Sequence, residues 1–181
     1  MKSLAIAILA LAALAAAAGV RYSGARRNLE TQRNGIAAAW EPVAGALDRR
    51  AELVPSLIRA FRSAAPHDAP VLQELTASAG ALAAAQAPRE KMRAYDRLSA
   101  ALSRLLLLTE RYPELRAGAG FQRLQDELAR TENQVFVERR RYNEAVQKYN
   151  TAIGQFPNNI VAALGGFTRN DAYFKTEPDA R

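Results

Sequence analysis

The chain contains a single imidazole, His67, followed directly by Asp68. A histidine beside a carboxylate is the usual starting point for general acid–base chemistry. Here the pair sits inside Pro66-His67-Asp68-Ala69-Pro70, a proline-bounded turn that reads as a solvated corner rather than a pocket floor. With one histidine and no cysteine, a multi-histidine metal site, a thiolate site, a disulfide and a cysteine nucleophile are all excluded. Carboxylates at Asp126, Glu127, Glu132 and Glu138 alternate with Arg123, Arg130, Arg139 and Arg140. At helical spacing this gives i, i+3 and i, i+4 ion pairs on a wet face, each worth a few tenths of a kcal/mol. Gly118-Ala-Gly120 lacks a third glycine and a preceding strand, and Gly165-Gly166 lacks both strand and helix signals, so neither reads as a phosphate loop. Nothing points to a cofactor.

The most distinctive string is the pair Tyr142-Asn143, repeated seven residues on as Tyr149-Asn150, with Phe156 seven further. Upstream the same step meets Val135, Leu128 and Phe121. One column of side chains is therefore apolar or aromatic along a long helix, which must bury it against partners. A second column at Val146, Ile153 and Ile160 flanks it. Asn143 and Asn150 lie about 100° round from the tyrosines. Either they bond across to the first helix and help to fix register, as buried polar residues do in coiled coils, or they are surface residues.

These columns have to be positioned by helices. At 181 residues with only 7% aromatics and no cysteine, the composition favours one all-α domain. The net charge is +7 and the pI about 10.1. Arginine is spread over every predicted helix and no recognition helix or base-stacking motif occurs, so no nucleic acid is expected.

The first helix is expected from about Gly24 to Ser63, with Leu29, Ile36 and Val43 in one column and Trp40, Leu47, Val54 and Phe61 in the next. Pro42 and Pro55 each remove an N–H and crowd the carbonyl four residues back, which predicts one or two bends. A second helix runs from about Pro70 to Gln86 with Val71, Leu75 and Leu82 inward. The third, from about Pro88 to Arg111, buries Met92, Tyr95, Leu98, Leu102 and Leu105. Tyr112-Pro113-Glu114-Leu115 makes the next corner, and the fourth helix runs from about Phe121 to Gln155, stopping at Pro157. Short connections predict an antiparallel up-down four-helix bundle. Its long first and fourth helices, about 50 to 60 Å against about 25 to 35 Å for the middle pair, would project as a two-helix stalk.

Ahead of the bundle, the 17 residues from Leu4 to Val20 carry no charge. As a helix they span about 26 Å, at the short end for a hydrocarbon core of about 30 Å. They also read as a cleavable signal, with Lys2 as the basic start and Ala16-Ala17-Ala18 as the cleavage site. If the segment is retained, Arg21, Arg26 and Arg27 outweigh Lys2 and direct the domain to the cytoplasm. With Arg33 they form a basic collar suited to an anionic leaflet. The expected division is a membrane segment over 1–20, a helical bundle over 21–167 and a weakly ordered tail over 168–181. Ile160 to Leu164 is expected to make one helical turn in front of Gly165-Gly166, with Phe167, Tyr173 and Phe174 docking back or touching lipid.

Several stretches, taken in order, resemble the LemA family of bacterial membrane-associated proteins. They are Arg49-Arg-Ala-Glu-Leu-Val-Pro-Ser-Leu-Ile58 after Trp40, Glu110-Arg-Tyr-Pro-Glu-Leu-Arg-Ala117, Phe121-Gln-Arg-Leu-Gln-Asp-Glu-Leu128 with Glu132-Asn133, Arg141-Tyr-Asn-Glu-Ala-Val146, Phe156-Pro157-Asn158 and Gly166-Phe167. The resemblance implies a retained N-terminal anchor and an antiparallel helical bundle. It supplies no catalytic residues, and it suggests an accessory or scaffold beside membrane proteins such as envelope proteases. The apolar segment here is shorter and richer in alanine than the family pattern, and the helix from Thr76 to Gln86 lacks the arginine often found there.

The sequence therefore predicts a non-enzymatic scaffold, anchored once in the bacterial inner membrane, that binds a protein partner. The residues expected to matter are Trp40, Pro55, Tyr112, Pro113, Tyr142, Asn143, Tyr149, Asn150, Phe156 and Pro157, with the basic collar. The competing readings are a soluble periplasmic binding or chaperone-like bundle after signal cleavage, and an enzyme built on carboxylates.

Overall fold

Residues 2–64 and 69–174 are described by a computed structural model. Among them there is no strand. The helices are α1 (Lys2–Glu52), α2 (Val54–Ala64), α3 (Ala69–Ala84), α4 (Pro88–Leu108), α5 (Pro113–Ala117), α6 (Ala119–Gly154) and α7 (Asn158–Gly165), with a 3₁₀ turn at Thr109–Arg111 after α4. The expected first helix is thus two. Pro55 offers no N–H to the carbonyl four residues back, so the Leu53 N–H instead tightens onto Arg50 O at 3.3 Å and α2 begins afresh with Leu57 N–H on Leu53 O at 3.1 Å. Pro42, by contrast, is carried inside α1. α1 runs without interruption from Lys2 through the apolar N-terminal stretch to Glu52.

The chain divides into two compact units, one of residues 1–38 and 144–171, the other of 39–143 and 172–181.

In the first unit the buried apolar side chains are Leu29 and Ile36 from α1, Val146, Tyr149, Ala152 and Ile153 from α6, Val161 and Ala162 from α7, and Phe167, with Asn150 of α6 a buried polar one. Two members of the expected columns are missing. Phe156 is 79% exposed and Ile160 51% exposed. The heptad register holds only while the helix lasts, and α6 stops at Gly154, so residues beyond it no longer point where the periodicity says. Gly165-Gly166 terminates α7. Gly166 takes the left-handed conformation at φ 69°, and Phe167 N–H donates to Ala162 O at 3.0 Å, a glycine C-terminal stop. A side chain at Gly165 would meet the Phe167 ring at 2.7 Å.

In the second unit the core is built from Val43, Ala46 and Leu47 of α1, Val54, Leu57 and Phe61 of α2, Leu72, Leu75 and Leu82 of α3, Met92, Tyr95, Leu98, Leu102 and Leu105 of α4, and Phe121, Leu128, Val135 and Tyr142 of α6. α3 packs along α4, and α2 touches α3 and α5. Leu72 takes the buried place expected of Val71, which is only half-buried. α4 starts with Pro88 in its first turn, where the missing N–H costs nothing, and Glu90 Oε2 accepts the Ala87 N–H at 3.4 Å. Residues 168–174, expected as part of a loose tail, have no regular secondary structure but are tied to α6 by side chains described next.

Candidate functional site

The tyrosine–asparagine repeat of α6 is spent on structure in both units. In the second, the buried Tyr142 ring meets half-buried Trp40 edge-on at 5.3 Å, and Phe174 packs on both, edge-on to Tyr142 and stacked with Trp40, each at 6.0 Å. Arg139 closes the cluster, its guanidinium 4.9 Å over the Phe174 ring and 5.7 Å over Tyr95. Beside it, Asn143 Nδ2 donates to Phe174 O at 3.1 Å and Asn143 Oδ1 accepts the Phe174 N–H at 3.0 Å. One side-chain amide thereby satisfies both backbone groups of a residue outside any helix or sheet, which such a buried segment requires. In the first unit the same device recurs. Asn150 Nδ2 donates to Asn170 O at 2.7 Å and its Oδ1 accepts the Asn170 N–H at 2.9 Å, while the Tyr149 hydroxyl donates to Thr168 O at 3.0 Å. Neither of the two expected readings of these asparagines describes this. Both bond to residues 168–174, because a segment without regular secondary structure needs an outside partner for its backbone and the helix α1 does not.

Burial pushes the phenols of Tyr142 and Tyr149 above their ordinary range, against opposing pulls from Arg89 and Arg33 respectively. These are neutral packing groups, not activated nucleophiles.

A second polar cluster links α1, α4 and α6 in the second unit. Arg50, 8% exposed, pairs through Nη1 with Glu132 Oε2 at 2.5 Å, and Nη1 also donates to Leu128 O at 3.4 Å. Tyr95 donates its hydroxyl to Glu132 Oε1 at 2.6 Å. Burial raises the Tyr95 phenol above its ordinary range and the carboxylate it bonds raises it further. Glu132 was expected in a wet i, i+4 ladder. Instead it reaches across to another helix, while Glu138 keeps the local role, 3.0 Å from Arg141. Lys91 Nζ ties α4 to α1 through Asp48 Oδ1 at 2.5 Å.

Outside these clusters the second unit presents an open groove of about 960 Å³, floored by Val54, Pro55 and Ile58 on one side, Ala79 and Ala83 on the other, and edged by the Asp48–Lys91 pair. Pro55 therefore serves twice, breaking the helix and shaping this groove. Tyr112 is edge-on to Phe61 at 5.7 Å, and Pro113 opens α5. Pro157 is exposed next to Phe156. Among the described residues no cluster of three or more histidine, aspartate or glutamate side chains could hold a metal. His67 and Asp68 lie outside the described residues.

The basic collar is only partly free. Arg21 is exposed, Arg26 pairs with Glu30 at 3.0 Å, Arg27 Nε donates to Ser23 O at 3.3 Å, and Arg33 lies 5.4 Å over the Phe167 ring. Below it, Leu4, Ile6, Ile8, Leu9, Leu11, Leu14 and Val20 are each at least 60% exposed. By length and composition this helix is long and apolar enough to cross a membrane, a test that a signal sequence also passes.

A family model described as the LemA family matches residues 39–181. The chain belongs to the LemA family. Curated relatives match a shorter stretch. The magnetosome proteins MamQ 1 and MamQ 2 of Paramagnetospirillum magneticum are each 32% identical over 78 residues, which is 43% of this chain and 28% of theirs. Magnetosome protein MamQ of Magnetospirillum gryphiswaldense is 30% identical over the same length and shares. The alignment thus spans less than a third of these relatives. The groove, both asparagine pairings and the Arg50–Glu132–Tyr95 cluster all fall inside the LemA match. Sequence reasoning missed Arg50, Arg139 and Phe174 as a group. The one available signal was the aromatic pair Tyr173-Phe174 in an otherwise polar tail.

Proposed function

We propose that this LemA protein is a non-enzymatic, membrane-anchored helical scaffold that holds a protein partner at the bacterial envelope. The observation that carries it is the continuity of α1. Exposed apolar residues from Leu4 to Val20 share one unbroken helix with Leu29, Ile36 and Val43, which are buried in the fold. Removing so much exposed apolar surface from water is strongly favourable, and a bilayer is the natural sink. On this reading the segment is a retained single-pass anchor in the inner membrane, and Arg21, Arg26 and Arg27 keep the domain on the cytoplasmic side. α1 with α2, α3, α4 and α6 then act as an antiparallel four-helix bundle. Its groove at Pro55, Ile58 and Ala79 is suited to an apolar helix of a partner. The likeness to magnetosome proteins supports a membrane-associated role.

Native membranes stripped with carbonate test the anchor. The expected product is a pelleted chain with the mass of residues 1–181, whereas a soluble chain starting at Gly19 would favour a cleaved periplasmic bundle. Because the chain has no cysteine, a single Ala100→Cys variant reports sidedness by labelling with an impermeant maleimide. A photo-crosslinker at Ile58 should capture one defined protein, and capture of none would remove the scaffold role.

A further inference from the structure

The first unit carries a second apolar surface. Phe156 in the turn before α7, and Ile160 and Leu164 on α7, spaced four apart in sequence, are 79%, 51% and 73% exposed, while Val161 and Ala162 of the same helix are buried. α7 is thus amphipathic in the wrong sense for a free surface, with its largest side chains outward.

Its level along α1 follows from contacts inside the unit. The Tyr149 hydroxyl bonds to Thr168 O, and the neighbouring Phe167 ring lies under Arg33, so Tyr149 is near the level of Arg33. Cover on α1 extends from there to Tyr22, Ser23 and Ala25, which are half-buried, and stops before the exposed Val20. The last turn of α6 and then α7 follow Tyr149 along the chain. Five residues on from Tyr149, at about 1.5 Å each, α6 has descended about 7 to 8 Å by its end at Gly154. The end of α6 then lies roughly 12 Å from Val20, level with the collar residues Arg26 and Arg27, so Phe156 and α7 begin at the outer edge of the headgroup layer of a bilayer that contains the apolar stretch.

We propose that α7 is an interfacial element, with Phe156, Ile160 and Leu164 reaching into the headgroup region of the same bilayer that holds the N-terminal helix. Aromatic and long aliphatic side chains at this depth bury apolar surface while the exposed polar residue Asn159 stays wet. The unit is thereby fixed against the membrane at two places, α1 and α7, which removes its freedom to tilt about a single anchor. This inference rests on the retained anchor proposed above.

The test uses the full chain in phospholipid vesicles, with an environment-sensitive fluorophore on single cysteines at Ile160→Cys, Leu164→Cys, Leu9→Cys and Ala100→Cys. These positions are exposed, so the fold tolerates the label. Nitroxide lipids then report depth. The expected result is a blue shift and loss of most emission at residues 9, 160 and 164 with shallow nitroxides strongest for the last two, and no change at 100. Quenching at 9 with an aqueous signal at 160 and 164 overturns the interfacial role and leaves the anchor standing. An unquenched probe at 9 overturns the anchor, and this inference with it. A blue shift at 160 and 164 without lipid quenching overturns it in favour of a protein surface, a second copy or a partner, covering α7.

Discussion

Tyr142→Ala is the sharpest perturbation of the LemA fold. The ring is 1% exposed and makes edge contacts to Trp40 at 5.3 Å and Phe174 at 6.0 Å. Truncating a buried aromatic costs about 3 to 5 kcal/mol, the aromatic pairings included. Against a typical total of about 5 to 15 kcal/mol that is a large share. At roughly 2 to 4 °C per kcal/mol for a chain of this size, a loss of 4 kcal/mol lowers Tm by about 8 to 16 °C. Thermal melts of the full chain in mild detergent, followed by circular dichroism at the helical minimum, measure it. Tyr142→Phe keeps the ring and should melt close to the parent, which separates packing from hydroxyl chemistry. Near-ultraviolet dichroism of Trp40, the single tryptophan, should collapse in Tyr142→Ala alone. A fall in Tm of less than about 3 °C, under roughly 1 kcal/mol, combined with loss of a bound partner, would refute the argument and make the repeat a contact surface.

Asn143→Ala removes both partners of the Phe174 backbone and should cost about 1 to 3 kcal/mol; amide exchange at Phe174 should quicken by about tenfold per 1.4 kcal/mol, with Asn150→Ala doing the same at Asn170, and unchanged exchange would dismiss the pairing. Glu132→Gln leaves the buried Arg50 guanidinium without its counter-charge and should cost about 2 to 3 kcal/mol in denaturant melts, discounted from a fully buried pair because Glu132 is 44% exposed. High pH should destabilise the protein. Tyr95, Tyr142 and Tyr149 all have raised folded-state pKa values, so the stability they contribute is intact below the unfolded value of about 10 and is lost as pH rises through the folded values. Denaturant midpoints across that range should fall less steeply for Tyr95→Phe, and an identical slope would show that Tyr95 is not a source of the effect.

Periodicity alone placed most of the interior correctly. Leu29, Ile36 and Val43, then Leu47, Val54 and Phe61, and the α6 column from Phe121 to Tyr149 are buried as the seven-residue step demands, because a helix repeats its faces at fixed spacing and water drives the apolar face inward. The same rule failed at Phe156 and Ile160, where the helix had already ended. It was silent on Asn143 and Asn150, whose partners are backbone groups 31 and 20 residues further along.

What the sequence determined by itself was therefore local and repetitive: an all-helical chain, a lipophilic first segment, the identity of the core columns and membership of the LemA family. The tertiary structure decided which helix each polar side chain serves. Arg50 could have served a surface pair and Glu132 an i, i+4 ladder, and Phe174 could have touched lipid. Hydrogen bonds and ion pairs between distant residues depend on distances of a few ångströms that only folding sets, and the penalty for a buried unpaired group selects among the options. His67, where chemistry was first sought, lies outside the described residues, and the aromatic and asparagine residues of α6 hold the chain's last described segment in place.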